Sequence, residues 1–89
     1  MFVIQRVRRD EDGHIVEVEG FARTASGDVA SQSFGCPISE LVSRIKCGDP
    51  VLTLRGGQVK TRRVSPDLET IEDLPTTPRG ARLSDLPSF

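Results

Sequence analysis

The first quarter of the chain alternates between apolar and polar residues with a period of two. Residues 2–9 and residues 14–21 are both rich in β-branched side chains, and the turn-forming residues 10–13 separate them. Such alternation is typical of strands that turn one face towards a core, and a short glycine-containing turn between two of them is typical of a β-hairpin. The pattern therefore predicts an antiparallel hairpin with Val16 and Val18 on its buried face.

The period changes to that of a helix in the middle of the chain. Four apolar residues have the spacing i, i+3, i+4 and i+7, which places them on one helical face; they are Ile38, Leu41, Val42 and Ile45. On the opposite face, Glu40 and Arg44 have the spacing of a favourable ion pair. This segment is therefore predicted to be an amphipathic α-helix.

Two starting points fit this helix. Pro37 can occupy the first turn after a cap at Cys36, or Ser39 can be the cap. At the other end, Gly48 is suited to a C-terminal cap, and Pro50 prevents the helix from continuing.

A second hairpin is predicted after the helix. Residues 51–55 and 58–64 have strand patterns, and the two glycines between them suit a tight turn. Residues 68–71 have the pattern of a short final strand, and a short strand over residues 29–34 also fits the segment before the helix.

These elements predict an α+β fold with an antiparallel sheet of four or five strands, in the order β-β-α-β-β, and one helix packed on one face of the sheet. We expect a single domain over residues 1–73 and an extended tail, punctuated by proline and glycine, over residues 74–89. The expected core consists of inward-facing apolar residues, which are Val3, Val7, Val16, Val18, Leu41, Val42, Ile45, Leu52, Leu54 and Val59.

Composition narrows the range of functions. The 89 residues include twelve basic and thirteen acidic side chains, so the net charge is −1. A chain this close to neutral has no overall field that favours nucleic acid or an anionic membrane. The absence of Trp and Tyr disfavours stacking platforms for bases. Since no apolar run approaches the length of a membrane span and no signal-peptide pattern opens the chain, we expect a cytoplasmic protein.

Residues suited to metal binding or catalysis are few and dispersed. Cys36 and Cys47 lie roughly 15 Å apart along the predicted helix, whereas the Cα atoms of a disulfide lie within about 7 Å of each other. Free thiols are typical of a reducing cytosol. Together with His14, the cysteines lack the spacing of a zinc site and the base that a cysteine nucleophile needs. We therefore predict no enzymatic activity, no cofactor, no small-molecule ligand, and no catalytic or metal-binding residue.

A weak contact with nucleic acid is the alternative that the basic residues leave open. Arg6 and Arg8 share one face of the first strand, and Lys60 and Arg62 share one face of a later strand. If these strands are neighbours, the four cations form a stripe that can contact phosphates with a steep dependence on salt. Carboxylates follow each basic stretch, however, which favours cross-strand ion pairs and disfavours nucleic acid.

The tail carries an apolar pattern of its own. Leu83, Leu86 and Phe89 recur every three residues in a polar segment, and Pro87 favours an extended backbone at Leu86. These side chains therefore pack on their own domain, insert into a second copy of the chain, or bind a partner. Addition of an extended strand to a sheet edge suits the last two outcomes. Docking on the same domain is slightly favoured, and these three residues are the candidate interaction site for the other two outcomes.

The chain resembles a known family over most of its length, and the residues that carry the resemblance lie in its last third. Leu-Glu-Thr-Ile-Glu-Asp at residues 68–73, followed by Leu-Ser-Asp-Leu-Pro-Ser-Phe at residues 83–89, is similar to the ending of a family of short bacterial proteins catalogued as a domain of unknown function. Glu69 departs from that family, which usually has arginine there. The resemblance implies a bacterial, cytosolic α+β protein and no particular activity. The function predicted from the sequence is a non-enzymatic binding or accessory module that contacts another protein or a second copy, with a small enzyme as the least favoured alternative.

Overall fold

A computed structural model describes residues 1–89 and confirms the α+β class. The chain forms six strands, one α-helix and one short 3-10 helix. They are β1 (Phe2–Arg9), β2 (Ile15–Ala22), β3 (Phe34–Pro37), α1 (Ile38–Lys46), β4 (Val51–Thr53), β5 (Val59–Ser65), β6 (Leu68–Asp73) and the 3-10 helix (Leu83–Asp85). No helix has the length and apolarity that a membrane crossing requires.

The strands form two sheets, so the expectation of a single antiparallel sheet is wrong. A four-stranded sheet has the order β3-β2-β1-β4, and β4 runs parallel to β1. A separate antiparallel pair contains β5 and β6. After the glycine turn, a single bridge between Leu52 and Gln58 joins the two arms of the predicted second hairpin. The arms then diverge, because β4 pairs with β1 whereas β5 pairs with β6.

The turn between β4 and β5 depends on two glycines for different reasons. Gly56 has a φ of 86°, in the left-handed region that favours glycine. Gly57 accommodates a close approach, since a Cβ atom there would collide with the carbonyl group of Ala81. The hydroxyl of Thr53 donates a hydrogen bond of 2.6 Å to that same carbonyl oxygen. The turn is therefore built around a contact with the tail.

A β-bulge in β1 moves the buried face of the first hairpin by one residue. The register with β2 shifts between Ile4 and Arg6, so Gln5 is an extra residue. Phe2, Ile4 and Val7 are consequently all buried in one cluster, although the last two are three residues apart.

A second bulge explains why the expectation for Val16 is wrong. Val16 is the extra residue of β2, opposite the point where the register shifts between Arg8 and Arg9. Ile15 therefore lies in the core cluster together with Val18, whereas Val16 is half-buried. Simple alternation would have placed Ile15 on the outer face.

The core lies between the four-stranded sheet, the helix and β6. Its members are Phe2, Ile4, Val7, Ile15, Val18, Cys36, Ile38, Leu41, Val42, Val51, Ile71 and Leu83. Among the expected core residues outside this cluster, Val3 is buried, Ile45 and Val59 pack against the cluster, and Leu52 is half-buried. Leu54 is 50 % exposed because it lies in the turn after β4, so that expectation is wrong.

The helix begins at Ile38, directly after the last residue of β3. Its N-cap is Pro37, without a side-chain cap, so neither Cys36 nor Ser39 caps it as expected. Pro37 still pairs with β2 in the sheet, and the strand therefore passes into the helix without an intervening turn.

The helix ends at Lys46, and Gly48 closes its C-terminus as expected, with a φ of 86°. The Gly48 amide donates to the Ile45 carbonyl, and the Asp49 amide donates to the Arg44 carbonyl, both at 3.0 Å. This pair of hydrogen bonds is the Schellman motif, in which glycine takes the left-handed position.

Candidate functional site

The tail packs along its own domain. The Leu83 amide donates a hydrogen bond of 2.8 Å to the carboxylate of Asp73, and the carbonyl of Ala81 accepts the Thr53 hydroxyl. Leu83 itself is only 4 % exposed. The middle of the tail is therefore part of the folded domain, and Leu83 is a core residue in this structure.

The last residues of the tail form a parallel pairing with β1. The Val7 amide donates to the Pro87 carbonyl at 3.0 Å, and the Phe89 amide donates to the Val7 carbonyl at 3.1 Å. Ser88 lies opposite Val7 in this bridge. We call residues 86–89 the tail tip. The tip is an extended segment added to the sheet.

The tail tip pairs with the same edge of β1 as β4 does, but further along the strand. β4 pairs with β1 at Phe2, Val3 and Ile4, also in the parallel direction. The bulged residue Gln5 follows, and the tip takes the next position at Val7. One edge of β1 thus has two successive partners from distant parts of the chain.

The aromatic ring of Phe89 lies against two arginines of β1. The centre of the ring is 4.8 Å from the Arg8 guanidinium carbon and 5.7 Å from that of Arg6. The Arg8 Nε atom also donates to the Phe89 backbone oxygen at 3.3 Å. The structure therefore brings together Arg6, Arg8 and Phe89, which the sequence placed in two separate candidate sites.

Each of these arginines is also paired with a glutamate of the facing strand. Arg6 is hydrogen-bonded to Glu19, and Arg8 forms an ion pair of 3.1 Å with Glu17. The register of the hairpin places Arg6 opposite Glu19 and Arg8 opposite Glu17. Two acidic and two basic side chains therefore form an ordered patch beside the Phe89 ring. We call these four residues, Arg6, Arg8, Glu17 and Glu19, the charged ladder.

Leu86, the first residue of the tip, is half-buried and packs against the core cluster. The sequence grouped it with Leu83 and Phe89 as an interaction residue. The three side chains in fact have different environments, because Leu83 is in the core, Leu86 is at its margin, and Phe89 lies on the charged ladder.

The four cations proposed for nucleic acid do not form one stripe. Lys60 and Arg62 lie on β5, which belongs to a different sheet from β1. Both lie near the carboxylate of Glu72, at 3.4 and 3.8 Å respectively. The condition under which the stripe would form is therefore not met.

The cysteines and the histidine have separate environments. Cys36 is completely buried in the core, and burial raises the pKa of its thiol, with the charge of Glu40 adding to the effect. Such a thiol stays protonated at neutral pH and is a poor nucleophile. Cys47 is an exposed free cysteine at the end of the helix. His14 lies in the first turn, 3.8 Å from the Asp10 carboxylate.

The first turn brings Asp10, Asp12 and His14 together with their ligand-type atoms within 4.8 Å of one another. One oxygen of the Asp10 carboxylate accepts hydrogen bonds from the backbone amides of Asp12 and His14, at 3.0 and 2.9 Å. These bonds explain the clustering, because aspartate commonly stabilises a turn in this way.

A groove of about 340 Å³ separates the helix from the β5–β6 turn. Ile38, Val42 and Leu68 form its apolar part. On its rim, Lys46 and Glu69 form an ion pair of 2.6 Å. The hydrogen bond from Lys46 lowers the pKa of Glu69. This contact connects the helix to β6.

No known family model, curated protein or solved structure matches this chain. The resemblance of the tail to a bacterial family consequently stays a prediction.

Sequence reasoning identified the residues of this site but missed how they combine. The signal that singled out the tail was the recurrence of Leu83, Leu86 and Phe89 every three residues in a polar segment. Nothing local to Arg6 or Arg8 indicates that a residue 81 positions further along the chain from Arg8 contacts them. The backbone of Val7 is the centre of the pairing, and no side-chain pattern can indicate it.

Proposed function

We propose that this chain is a non-catalytic protein-binding module that adds an extended segment of a partner protein to the edge of β1. The observation that carries the proposal is the pairing of the tail tip with Val7. The sheet already holds an extended segment there, with backbone hydrogen bonds at 3.0 and 3.1 Å. Strand addition of this type is a common way for a domain to bind a peptide.

The contacts of the tip are few enough to be replaced. They include two backbone hydrogen bonds, the Arg8 contact with the Phe89 oxygen, and the packing of Leu86 and Phe89. Each hydrogen bond contributes on the order of 1 kcal/mol net. Both Pro87 and Ser88 are exposed. A partner segment that offers equal or better contacts can therefore displace the tip.

The tip also sets the minimum affinity that such a partner needs. A segment tethered to its own site competes at an effective concentration of roughly millimolar. A partner that binds the free edge weakly is therefore excluded, and only a strong or locally concentrated partner is bound. In this proposal the tail is a built-in competitor, and Phe89 is the residue that sets its strength.

Nucleic-acid binding is not supported by a comparable observation. Arg6, Arg8, Lys60 and Arg62 each lie beside a carboxylate, which would have to be displaced by a phosphate.

The test uses the full-length variant Phe89→Ala, in which the tip is weakened but no core residue is changed. An unlabelled peptide with the sequence of residues 82–89 is titrated into the ¹⁵N-labelled variant, and the amide shifts of the variant are followed by NMR. We expect saturable binding with shift changes centred on residues 5–9. The wild-type chain, whose site is occupied by a stronger competitor, is expected to bind more weakly, by up to about fivefold, which corresponds to about 1 kcal/mol.

Two modified peptides provide a matched control. Methylation of the Phe89 nitrogen removes the hydrogen bond to the Val7 carbonyl, whereas the Ser88 amide donates to no backbone acceptor. We expect the first modification to weaken binding more than the second. Absence of binding at about 1 mM unmodified peptide, the effective concentration of the tethered tip, would refute the proposal.

A further inference from the structure

Phe89 is the one tip residue whose side chain lies on the charged ladder. The ring is within 6 Å of two guanidinium groups, at 4.8 Å for Arg8 and 5.7 Å for Arg6. A cation within about 6 Å of an aromatic ring centre is attracted by the negative face of the ring. Leucine or another aliphatic side chain would bury similar area there but has no such face.

The hairpin holds both arginines in place for this contact. Glu17 and Glu19 pair with them from β2, one residue opposite each. Arginine loses much side-chain freedom when it stacks on a ring, and a fixed partner reduces that loss because the guanidinium is already ordered. The glutamates also neutralise the arginines, so the patch has no net charge that would attract any anion.

The bulge at Gln5 contributes to this arrangement. It lets Val7 remain in the core while Arg6 and Arg8 both reach the ring of Phe89. The backbone of Val7 is then available on the same edge for the tip. The backbone contact and the ring contact therefore require the same register of the bound segment.

We infer that the edge of β1 selects extended partner segments that carry an aromatic residue at the position of Phe89, where Arg6 and Arg8 contact the ring. This inference rests on the proposed function and specifies the chemical class of the partner. The position of Ser88 tolerates variation, because that residue is exposed. The ligand class is thus a strand with an aromatic side chain directed at two ordered arginines.

The experiment compares four peptides on the full-length Phe89→Ala variant. All span residues 82–89 and differ at the last position, which is Phe, Trp, Leu or Ala. Because tryptophan is the best aromatic partner of a cation, we expect it to bind at least as tightly as phenylalanine. Leucine is expected to bind about threefold more weakly than phenylalanine, as an exposed cation–π contact implies. Alanine is expected to bind most weakly.

The role of the arginines is tested by the ratio of the phenylalanine and leucine affinities. In the background of the same variant, Arg8→Gln is expected to lower this ratio from about three towards one, since only the more distant Arg6 remains beside the ring. Arg62→Gln removes a similarly exposed cation on β5 and serves as the matched control, with the ratio unchanged. Circular dichroism verifies that both variants are folded.

The outcomes separate this inference from the proposed function. If no peptide binds, the proposed function fails, and the inference fails with it. If phenylalanine and leucine peptides bind equally well, or if Arg8→Gln leaves their ratio unchanged, the selection of aromatic residues is overturned while strand addition stands. If the ratio of the phenylalanine and leucine affinities falls equally in Arg62→Gln, the arginines of β1 do not recognise the aromatic ring, and the inference is also overturned.

Discussion

Two segments cover the same edge of β1, and they are held very differently. β4 pairs with three successive residues of β1 and is anchored by Val51 and Thr53, which are 5 % and 1 % exposed. The tail tip has one bridge, at Val7, and includes the exposed residues Pro87 and Ser88. Both have the same parallel direction and the same kind of backbone pairing. β4 is thus both more buried and more extensively paired than the tip, and in our proposal this difference makes β4 a permanent strand and the tip an exchangeable one.

The tail itself contains the same contrast within a few residues. Leu83 is inserted in the core, whereas Phe89 lies on the charged ladder at the surface. The tail is therefore anchored at its middle and held weakly at its tip. In the proposed exchange, an anchored base would keep the released tip near its site and so maintain a high effective concentration.

The largest expected effect is at the base of the tail. Leu83→Ala removes a buried side chain that is only 4 % exposed, so we expect a loss of about 2–4 kcal/mol in the free energy of unfolding, as measured by urea denaturation. A loss below about 0.5 kcal/mol, the level of a surface substitution, would show that the base is not anchored. Leu86→Ala, at the margin of the core, is the matched comparison and should cost less.

A second effect concerns the anchoring of β4. The Thr53 hydroxyl donates to the Ala81 carbonyl at 2.6 Å and accepts from the Gly57 amide at 2.9 Å. Thr53→Val keeps the shape but leaves both buried groups without a partner, so we expect a loss of about 1–3 kcal/mol. Thermal denaturation of the variant beside Thr61→Val, on the second sheet, provides the comparison. Equal stability of the two variants would mean that the contact between β4 and the tail is dispensable.

The helix and the first hairpin could be predicted from the sequence because their signals are local. The apolar stripe from Ile38 to Ile45 and the turn at residues 10–13 depend only on neighbouring residues. The bulges at Gln5 and Val16 could not be predicted, since they are defined by the register between two strands. Neither bulge requires an unusual residue type.

The candidate site is non-local in a stronger sense. Phe89 was singled out as one of three regularly spaced apolar residues in a polar tail, but its contact with Arg8 joins the two ends of the chain. The parallel pairing of β4 with β1 likewise depends on which edge of the hairpin β4 joins, and no local sequence pattern specifies that edge. Local sequence patterns predicted the helix and the first hairpin, whereas the site depends on how distant segments of the chain pair with one another.

A smaller effect is expected at the tip. Phe89→Ala removes a surface ring contact, so we expect a loss of no more than about 1 kcal/mol in the free energy of unfolding. The near-ultraviolet or amide spectrum should remain that of a folded protein. A loss as large as that of Leu83→Ala would make the tip a structural strand like β4 and would contradict its exchangeability.

The smallest effect is a shift in titration outside the edge of β1. Lys46 lowers the pKa of Glu69 through a hydrogen bond of 2.6 Å. Because the folded pKa lies below that of the unfolded chain, this stabilisation is complete above the ordinary carboxyl pKa and is lost as the pH falls through the folded value. NMR titration should show the pKa of Glu69 rising towards its ordinary value in Lys46→Met. Lys60→Met, which removes a cation next to Glu72 instead, should leave it unchanged.

Hydrogen exchange at the Val7 amide tests the exchangeable edge most directly. This amide donates to Pro87 in the tip, whereas the Phe2 amide donates to Pro50, next to β4. We expect the Val7 amide to exchange faster in Phe89→Ala than in the wild-type chain, and to be protected again when the peptide of residues 82–89 is added. The amides of Leu41 and Val42 in the helix should change by no more than the loss of global stability allows, about fivefold for 1 kcal/mol. Val7 exchange that matches global unfolding and responds to neither change would show that the tip is a permanent strand and contradict the account.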